Sequence, residues 1–288
     1  MRLSRLLLLC AVVIWGWTFV ATKICLAYMT PIELLGLRLL IAVPVLVVLA
    51  ALRGSIRPRR LPLRPVLIGS TLIGIHFFIQ ITGLQFTTAT NTGWIIAVTP
   101  VVLALMSHLI LGERISRGLA YGILVATLGI VVLISGGRLT GLGWLGSVGD
   151  WLILASAHTW ALYTISVRDL TRSVDPLAVT IAVLLPPALV SAVVLYFFSD
   201  VTKFLRLPAD ALVALLFLGV FGMALAHWFW QIGVSRVGAA RAGVFLYLEP
   251  LATTGLAVPY LGEPFGMATL IGGLLVLLGV WVAQSRGG

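Results

Sequence analysis

Two stretches of the sequence decide the fold: residues 93–113 read GWIIAVTPVVLALMSHLILGE, and residues 243–263 read GVFLYLEPLATTGLAVPYLGE. Each stretch begins with Gly, carries Pro at its eighth position and ends in Leu-Gly-Glu. Between these points most residues are apolar, and roughly 20 such residues are enough for a helix to cross the hydrocarbon core of a membrane. Both stretches therefore predict a membrane-spanning helix that contains a proline.

The match between the two stretches extends beyond them. With the chain shifted by 150 residues and no gaps, 69–135 aligns with 219–285, and many of the identities are Gly or Pro. A shift of 145 residues also matches Trp15 to Trp160. In an apolar sequence, Gly and Pro coincide by chance less often than Leu, so the alignment indicates an internal repeat.

The repeat divides the chain into two parts with five predicted spans each. We predict a first five-helix repeat over 1–136, an outer loop over 137–148 and a second five-helix repeat over 149–288. Because five is odd, the second repeat enters the membrane from the opposite side. Many secondary transporters are built from inverted repeats and bind substrate near the midplane between them. The predicted fold is an all-α polytopic membrane protein, with ten transmembrane helices as two inverted five-helix repeats around a central cavity.

The composition of the whole chain agrees with this fold. Of its 288 residues, 60% are apolar and 10% are charged, whereas soluble domains contain about 25% charged residues. This excludes an ordinary soluble enzyme, a disordered protein and a disulfide-rich secreted domain. Ten segments are apolar enough to span a bilayer: 6–26, 33–52, 65–84, 91–111, 117–135, 150–167, 176–198, 211–232, 241–261 and 265–285.

The basic residues predict the orientation in the membrane. Cytoplasmic loops of membrane proteins carry an excess of Lys and Arg, and fourteen of the nineteen basic residues lie on the side of the N-terminus. The densest group is Arg57-Pro58-Arg59-Arg60. We therefore predict a multi-pass protein of a bacterial cytoplasmic (inner) membrane, with both termini in the cytoplasm. The net charge of +10 then records membrane insertion and does not indicate nucleic-acid binding.

Several polar and aromatic residues are candidates to line the cavity. Polar side chains at bilayer depth normally face the protein interior or water. His76 and Gln80 lie one turn apart on one face of the third predicted span. Trp17, Trp160 and Tyr163 lie deep in the first and sixth spans, away from the interfaces where Trp is common. Packing in the core or against lipid is the alternative for each, and convergence on one cavity would suit a flat, apolar or aromatic ligand.

Two charged residues lie within predicted spans. Glu249 is the acidic residue farthest from any span end, and it precedes Pro250, which removes a backbone donor. It is a candidate proton-binding or ligand-binding group, and the alternative is an ion pair with Arg38 or another buried base. Arg38 is a candidate ligand contact, or a side chain that extends to the outer interface. Pro100 and Pro250 are predicted to kink the fourth and ninth spans.

The chain resembles the EamA-type transporters of the drug/metabolite transporter superfamily over essentially its whole length. The features that carry the resemblance are Trp15-Gly16 and Lys23 in the first span, Arg38 in the second, Pro100 in the fourth, and the two Leu-Gly-Glu motifs with glycines nine and sixteen residues after each Glu. This resemblance implies export of small metabolites by alternating access from a central cavity. The YddG-type aromatic amino acid exporters of the superfamily have a His in helix 3 and Trp residues in helices 4 and 6 that face the cavity. His76, Trp94 and Trp160 resemble these residues, which implies the same position for them.

The sequence therefore predicts a secondary transporter that exports amino acids, with aromatic ones favoured, or related small metabolites. The main alternative is a multidrug exporter of cationic compounds, followed by a passive channel or an intramembrane enzyme. The histidines and carboxylates are scattered, whereas a metal enzyme needs clustered ligands. We expect no catalytic residues, no metal and no cofactor. The expected partners are a small-molecule substrate and the lipid bilayer, with no nucleic acid and an open oligomeric state.

Overall fold

The computed structural model describes residues 2–54, 61–112, 117–137, 146–237 and 242–285, and the regular structure in these ranges is helical. Two 3₁₀ helices, Val201–Arg206 and Val244–Leu248, and one π-helix, Phe217–Leu225, connect α-helices within these ranges. The α-helices are α1 (Arg2–Leu26), α2 (Pro31–Leu52), α3 (Leu63–Phe86), α4 (Ala89–Ile96), α5 (Thr99–Leu111), α6 (Arg117–Ser135), α7 (Val148–Ser166), α8 (Arg168–Ser173), α9 (Pro176–Phe198), α10 (Ala209–Leu216), α11 (Ala226–Val237), α12 (Glu249–Leu261) and α13 (Met267–Ser285).

The protein is an all-α polytopic membrane protein. Among the described residues, six helical stretches are long and apolar enough to cross a bilayer: Leu3–Leu26, Pro31–Leu52, Leu63–Phe86, Ala89–Ile110, Pro176–Phe198 and Ala209–Val237. Two shorter apolar helices cover Ala120–Ser135 and Met267–Val282. The count of ten spans and their inverted arrangement stay predictions. Most of the predicted outer loop over 137–148 lies outside the described residues.

The Leu-Gly-Glu motifs end two helices, and the second motif also caps a third. Gly112 follows α5 with φ of 69°, and Gly262 follows α12 with φ of 63°. Glycine enters this left-handed region without the steric cost of a side chain, so each motif stops its helix. The carboxylate of Glu263 then accepts hydrogen bonds from the backbone N–H groups of Ala89 and Thr90, at 2.7 and 2.8 Å. Glu263 therefore satisfies the N-terminus of α4, where negative charge is favoured.

The fourth and ninth predicted spans are both interrupted next to their prolines. α4 ends at Ile96, and Pro100 lies in the first turn of α5. Pro250 lies in the first turn of α12, directly after the 3₁₀ helix Val244–Leu248. Proline has no N–H to donate to the carbonyl four residues earlier, which explains a break at these points. Each predicted kink residue therefore stands at a break in a helix.

The two halves of the chain pack through contacts that recur in exchanged form. A Cβ atom on Gly83 of α3 would lie 3.0 Å from Ile153 of α7, and one on Gly233 of α11 would lie 2.3 Å from Leu8 of α1. The shift of 150 aligns Gly83 with Gly233, and the shift of 145 aligns Leu8 with Ile153. In the alignment, each of these two contacts is therefore the exchanged equivalent of the other.

α6 and α13 pack against each other with their backbones in close contact. A Cβ atom on Gly129 would lie 2.7 Å from the carbonyl oxygen of Gly272, and one on Gly279 would lie 2.7 Å from that of Gly122. The contacts run in opposite directions along the two helices, so α6 and α13 are antiparallel. Small residues permit this approach, as is common between membrane helices.

Candidate functional site

A cavity lies inside the helix bundle, where helices from both halves meet. Its volume is about 40 Å³, which is room for a few water molecules and too little for an amino acid. The side chains that line it are largely aromatic, with a smaller number of polar and charged groups. They are Trp15, Thr18, Phe19, Arg38, His76, Phe77, Gln80, Ile96, Thr99, Trp160, His227, Leu246 and Glu249.

A cluster of aromatic rings forms one wall of the cavity. Trp15 packs edge-to-face on Trp160, with ring centroids 5.3 Å apart, and it also contacts His227 and Trp230 at 5.1 and 5.3 Å. Such pairs are favourable because the positive ring edge meets the negative ring face. The indole N–H of Trp15 donates to the carbonyl of Gly222 at 3.1 Å, which fixes the ring orientation. Trp15 and Trp160, which align in the internal repeat, thus meet at the cavity.

Two histidines line the cavity, and a backbone carbonyl orients each of them. The Nδ1–H of His76 donates to the carbonyl of Ser156 at 2.9 Å, and that of His227 donates to the carbonyl of Gly222 at 3.1 Å. Because a carbonyl can only accept, Nδ1 carries the proton in the neutral ring. The Nε2 atom of His227 is buried and has no hydrogen-bond partner among the described residues. The ring of Phe77 lies between the two histidines, 4.9 Å from one and 5.3 Å from the other.

The cavity also contains one basic and one acidic side chain. Arg38 from α2 is 3% exposed, and its guanidinium carbon lies 5.4 Å from the centre of the Phe77 ring. The Nε atom of Arg38 is buried without a hydrogen-bond partner in the described part of the chain. Glu249 from α12 is 5% exposed, and its carboxyl group forms no hydrogen bond or ion pair with any described residue. The alternative of an Arg38–Glu249 ion pair is therefore not what the structure contains.

Two further predicted site residues lie in or beside this wall. Gln80 lines the cavity from α3, one turn from His76. Tyr163 does not line it, and instead packs behind Trp160 with ring centroids 5.4 Å apart. The hydroxyl oxygen of Tyr163 accepts a hydrogen bond from the Gln231 side chain at 2.9 Å. Tyr163 therefore supports the Trp160 ring and does not face the cavity itself.

Trp17 lies on the opposite face of α1 from the one predicted. Its side chain is 43% exposed on the outside of the bundle, and it does not line the cavity. Each residue turns a helix by about 100°, so Trp15 and Trp17 point in nearly opposite directions. The prediction that Trp17 lines the cavity is therefore wrong, and Trp15 takes that place.

Trp94 is buried away from the cavity. Its ring fills the space beside Gly273 of α13, where a Cβ atom would lie 2.2 Å from the ring. Its indole N–H donates to the hydroxyl of Thr254 at 3.1 Å. The position implied for Trp94 by the resemblance to aromatic amino acid exporters is thus not found, because α4 directs this side chain between α12 and α13.

Several cavity residues escaped the sequence analysis. His227 is the most informative, because the shift of 150 aligns it with Phe77, the neighbour of His76. The same shift aligns Thr99 with Glu249. Both aligned pairs line the cavity together. The positions equivalent to the candidates Trp160 and Glu249 are Trp15 and Thr99, so the repeat indicates these two, whereas His227 is equivalent only to the neighbour of a candidate. Within the described residues, no group of three or more His, Cys, Asp and Glu side chains is arranged to hold a metal ion.

The chain is similar to known transporters over nearly its whole length. It is 27% identical to the "Uncharacterized transporter YyaM" of Bacillus subtilis, with 94% of this chain and 90% of that protein covered. It is 28% identical to an "Uncharacterized transporter" of Archaeoglobus fulgidus, with 98% of both chains covered. It is also 27% identical to the "Probable terminal-alkyne amino-acid exporter" of Streptantibioticus cattleyicolor, with 99% and 95% covered.

Structure and family comparisons agree with these similarities. A solved crystal structure that is 23% identical superposes with a TM-score of 0.73 and covers 98% of both chains, which shows a shared fold. The sequence profile of the EamA-like transporter family matches residues 2–135 and again residues 147–284. Together these two matches cover most of the chain. The protein therefore belongs to the EamA-like transporter family.

Proposed function

We propose that this protein is a secondary transporter that exports amino acids, with aromatic ones favoured, or related small metabolites by alternating access. The observation that carries the proposal is the internal cavity, to which both halves of the chain contribute aromatic, polar and charged side chains. A few placed polar groups within an apolar wall are typical of small-molecule sites. The relative named "Probable terminal-alkyne amino-acid exporter" supports this substrate class.

The contacts between the halves support an inverted repeat. In a two-fold arrangement, if a residue of one copy contacts a second residue of the other, the equivalent residues make the exchanged contact. The pairs Gly83–Ile153 and Gly233–Leu8 behave in this way. Residues on the two-fold axis meet their own equivalents, as Trp15 and Trp160 do. These relations favour a pseudo-two-fold axis through the cavity, as in other transporters with inverted repeats.

The small cavity supports alternating access over a permanent pore. A volume of about 40 Å³ excludes an amino acid, so side chains or helices must move to admit one. Ile96 and Thr99 line the cavity at one helix break, and Leu246 and Glu249 line it at the other. Breaks at these places allow one part of a span to tilt relative to the rest. We further propose that the protein lies in the bacterial cytoplasmic (inner) membrane with both termini in the cytoplasm, which the distribution of basic residues favours.

Counterflow in proteoliposomes tests the proposed function. Vesicles preloaded with unlabelled L-phenylalanine are expected to accumulate labelled L-phenylalanine transiently and saturably, because a carrier exchanges substrate across the membrane. A passive channel would give no such accumulation. Absence of counterflow for every amino acid, with protein that is folded by size-exclusion chromatography, would remove this substrate class.

Two matched variants of α1 link that flux to the cavity. In Trp15→Phe the hydrogen bond to Gly222 and part of the ring contact with Trp160 are lost. We expect counterflow to fall by about tenfold, which corresponds to about 1.4 kcal/mol of lost interaction. Trp17→Phe changes a ring on the outer surface and is expected to leave counterflow unchanged. Equal effects of the two variants would contradict the assignment of the cavity as the transport site.

A specific observation keeps export of cationic compounds as a second candidate function. Glu249 is a buried carboxyl group that lines the same cavity as several aromatic rings, and this combination also suits a hydrophobic cation. An ethidium flux assay in the same vesicles distinguishes the two. Ethidium flux without amino acid counterflow would favour the multidrug alternative.

A further inference from the structure

The two charged side chains of the cavity do not pair with each other, and neither has an ionic partner among the described residues. Arg38 and Glu249 enter the cavity from α2 and α12, and both are at least nine-tenths buried. Neither forms an ion pair with a described residue. A charge removed from water normally needs a close counter-charge and hydrogen bonds to offset the cost of desolvation. In the described part of the chain, a donor group and an acceptor group are thus buried without the partners that such burial requires.

From this arrangement, which rests on the proposed transport function, the geometry points to a zwitterionic ligand: Arg38 binds a carboxylate and Glu249 binds an ammonium group of the same α-amino acid. The guanidinium of Arg38 has a planar set of N–H donors that matches both oxygens of a carboxylate. The carboxylate of Glu249 only accepts hydrogen bonds, so it suits a primary ammonium with three N–H donors. A zwitterion brings both counter-charges at once and adds no net charge to the cavity.

The surroundings of the two groups fit this assignment. Phe77 lies under the guanidinium of Arg38, and this cation–π contact limits the directions in which Arg38 can point. Among the described residues, His76 and His227 are the other titratable side chains that line the cavity. Their Nδ1–H groups are already held by backbone carbonyls. Arg38 and Glu249 are therefore the groups that can bind the charged ends of a substrate most strongly. The Trp15–Trp160 wall then remains to contact the substrate side chain.

A ligand with a single charge, either a hydrophobic cation or an anionic metabolite, would pair with only one of the two charged groups. A hydrophobic cation would use Glu249 and would bring its own positive charge near the unpaired Arg38. An anionic metabolite would use Arg38 and would approach the unpaired Glu249. In each case one buried charge stays without a partner and meets a like charge, which disfavours the complex. The zwitterion satisfies both groups.

Three probes of the same shape test the assignment. L-phenylalanine carries both charges, phenylethylamine lacks the carboxylate, and 3-phenylpropionate lacks the ammonium. We expect wild-type protein to exchange L-phenylalanine about tenfold or more faster than either analogue, because each analogue loses one charge-assisted interaction. Thermal-shift binding of the same three compounds to purified protein gives a second, flux-independent ranking.

Two variants, each of which replaces a charged side chain by the neutral Gln, then assign each charge to its partner. Arg38→Gln is expected to lower the preference for L-phenylalanine over phenylethylamine by about tenfold, and Glu249→Gln is expected to lower the preference over 3-phenylpropionate by a similar factor. A structural role for these residues would reduce all three probes equally. If L-phenylalanine is exchanged but neither variant changes the ranking, the assignment is wrong while the proposed function stands. If wild-type protein prefers phenylethylamine or 3-phenylpropionate, or binds and exchanges none of the three, the proposed amino acid substrate and this assignment both fail.

Discussion

In each of the two broken spans, proline leaves one backbone carbonyl without its helical hydrogen-bond donor, and a different group replaces that donor in each span. Pro100 leaves the carbonyl of Ile96 without its usual helical donor, and the hydroxyl of Thr99 donates to that carbonyl instead. Pro250 leaves the carbonyl of Leu246 in the same situation, and there the backbone N–H of Glu249 is the donor. The residue before proline thus uses its side chain in the first break and its main chain in the second.

This difference determines which break presents a side chain to the cavity that is not bonded to its own helix. The Thr99 side chain is occupied by the repair of its own helix. Because a main-chain N–H repairs the second break, the Glu249 side chain stays available inside the cavity. The shared fold therefore provides two equivalent breaks, and one substitution between them provides one charged group. Under the proposed function, the two repeats would share the helix break while only the second supplies a charged ligand contact.

Replacing Glu249 in the second break by Thr, the residue at the equivalent position of the first, should have the largest effect on transport. We expect Glu249→Thr to lower L-phenylalanine counterflow by more than tenfold, since the ammonium of the substrate would lose a charged partner. The same variant should melt at the wild-type temperature or above, because an unpartnered buried carboxyl group costs stability. Proteoliposome flux and thermal unfolding in detergent measure the two quantities separately. Wild-type flux in Glu249→Thr would show that the difference between the breaks has no functional role.

The approach of α1 to the second break gives a sharper structural test. A Cβ atom on Gly16 would lie 2.7 Å from the carbonyl oxygen of Glu249 and 3.0 Å from the amide nitrogen of Thr253. The residue aligned with Gly16 at the shift of 145 is Ala161, so the second repeat carries a side chain at this position. We expect Gly16→Ala to destabilise the protein by about 1–3 kcal/mol, because backbone atoms must move to admit the methyl group.

The matched control for this variant lies in α12 itself. A Cβ atom on Gly255 would meet no atom of the described residues within 4 Å. Gly255→Ala should therefore be neutral or stabilising by up to about 1 kcal/mol, as expected for Gly to Ala within a helix. Thermal unfolding of both variants is the measurement. A melting temperature of Gly16→Ala at or above that of Gly255→Ala would contradict the close contact between α1 and the break.

Glu263, which follows the end of α12, also contacts the start of α4 and so joins the two broken spans. Its carboxylate accepts two backbone N–H groups at the start of α4. A Gln side chain has one acceptor oxygen and no charge, so we expect Glu263→Gln to destabilise the protein by about 0.5–1.5 kcal/mol. Asp175→Asn is the control, because Asp175 caps α9 through a single oxygen and Asn caps helices about as well. Equal melting temperatures for the two variants would show that the charge of Glu263 does not stabilise α4.

The sequence was sufficient to predict features that depend on composition and on exceptional residues. Pro100 and Pro250 stand at helix breaks because proline lacks an N–H whatever the surroundings are. His76, Gln80 and Trp160 line the cavity, as their depth in apolar spans indicated. Such residues are costly in hydrocarbon, so their positions are strongly constrained.

The direction in which an aromatic side chain points could not be predicted in the same way. α1 is apolar nearly all round, and such a helix has no polar face to show which side is outside. Trp15 and Trp17 are chemically identical, and only packing against α7 and α11 distinguishes them. Trp94 was misplaced for a related reason, because the gap beside Gly273 exists only in the folded protein. Tertiary packing therefore determines the direction of these side chains.

Loss of the hydroxyl at the first break should affect transport far less than loss of the carboxyl group at the second. Thr99→Val keeps the shape of the side chain and removes the hydrogen bond to the Ile96 carbonyl. We expect a destabilisation of about 0.5–1.5 kcal/mol, the net value of one hydrogen bond, and counterflow within about twofold of wild type. The affinity for L-phenylalanine should not change, because Thr99 presents no charge to the substrate.

Thermal unfolding and the concentration dependence of counterflow check these values side by side with Glu249→Thr. If Thr99→Val abolishes transport as completely as Glu249→Thr, the breaks contribute through their mobility and not through the carboxylate of one of them. A selective loss in Glu249→Thr would instead locate the substrate contact in the second break and leave the first as structural support.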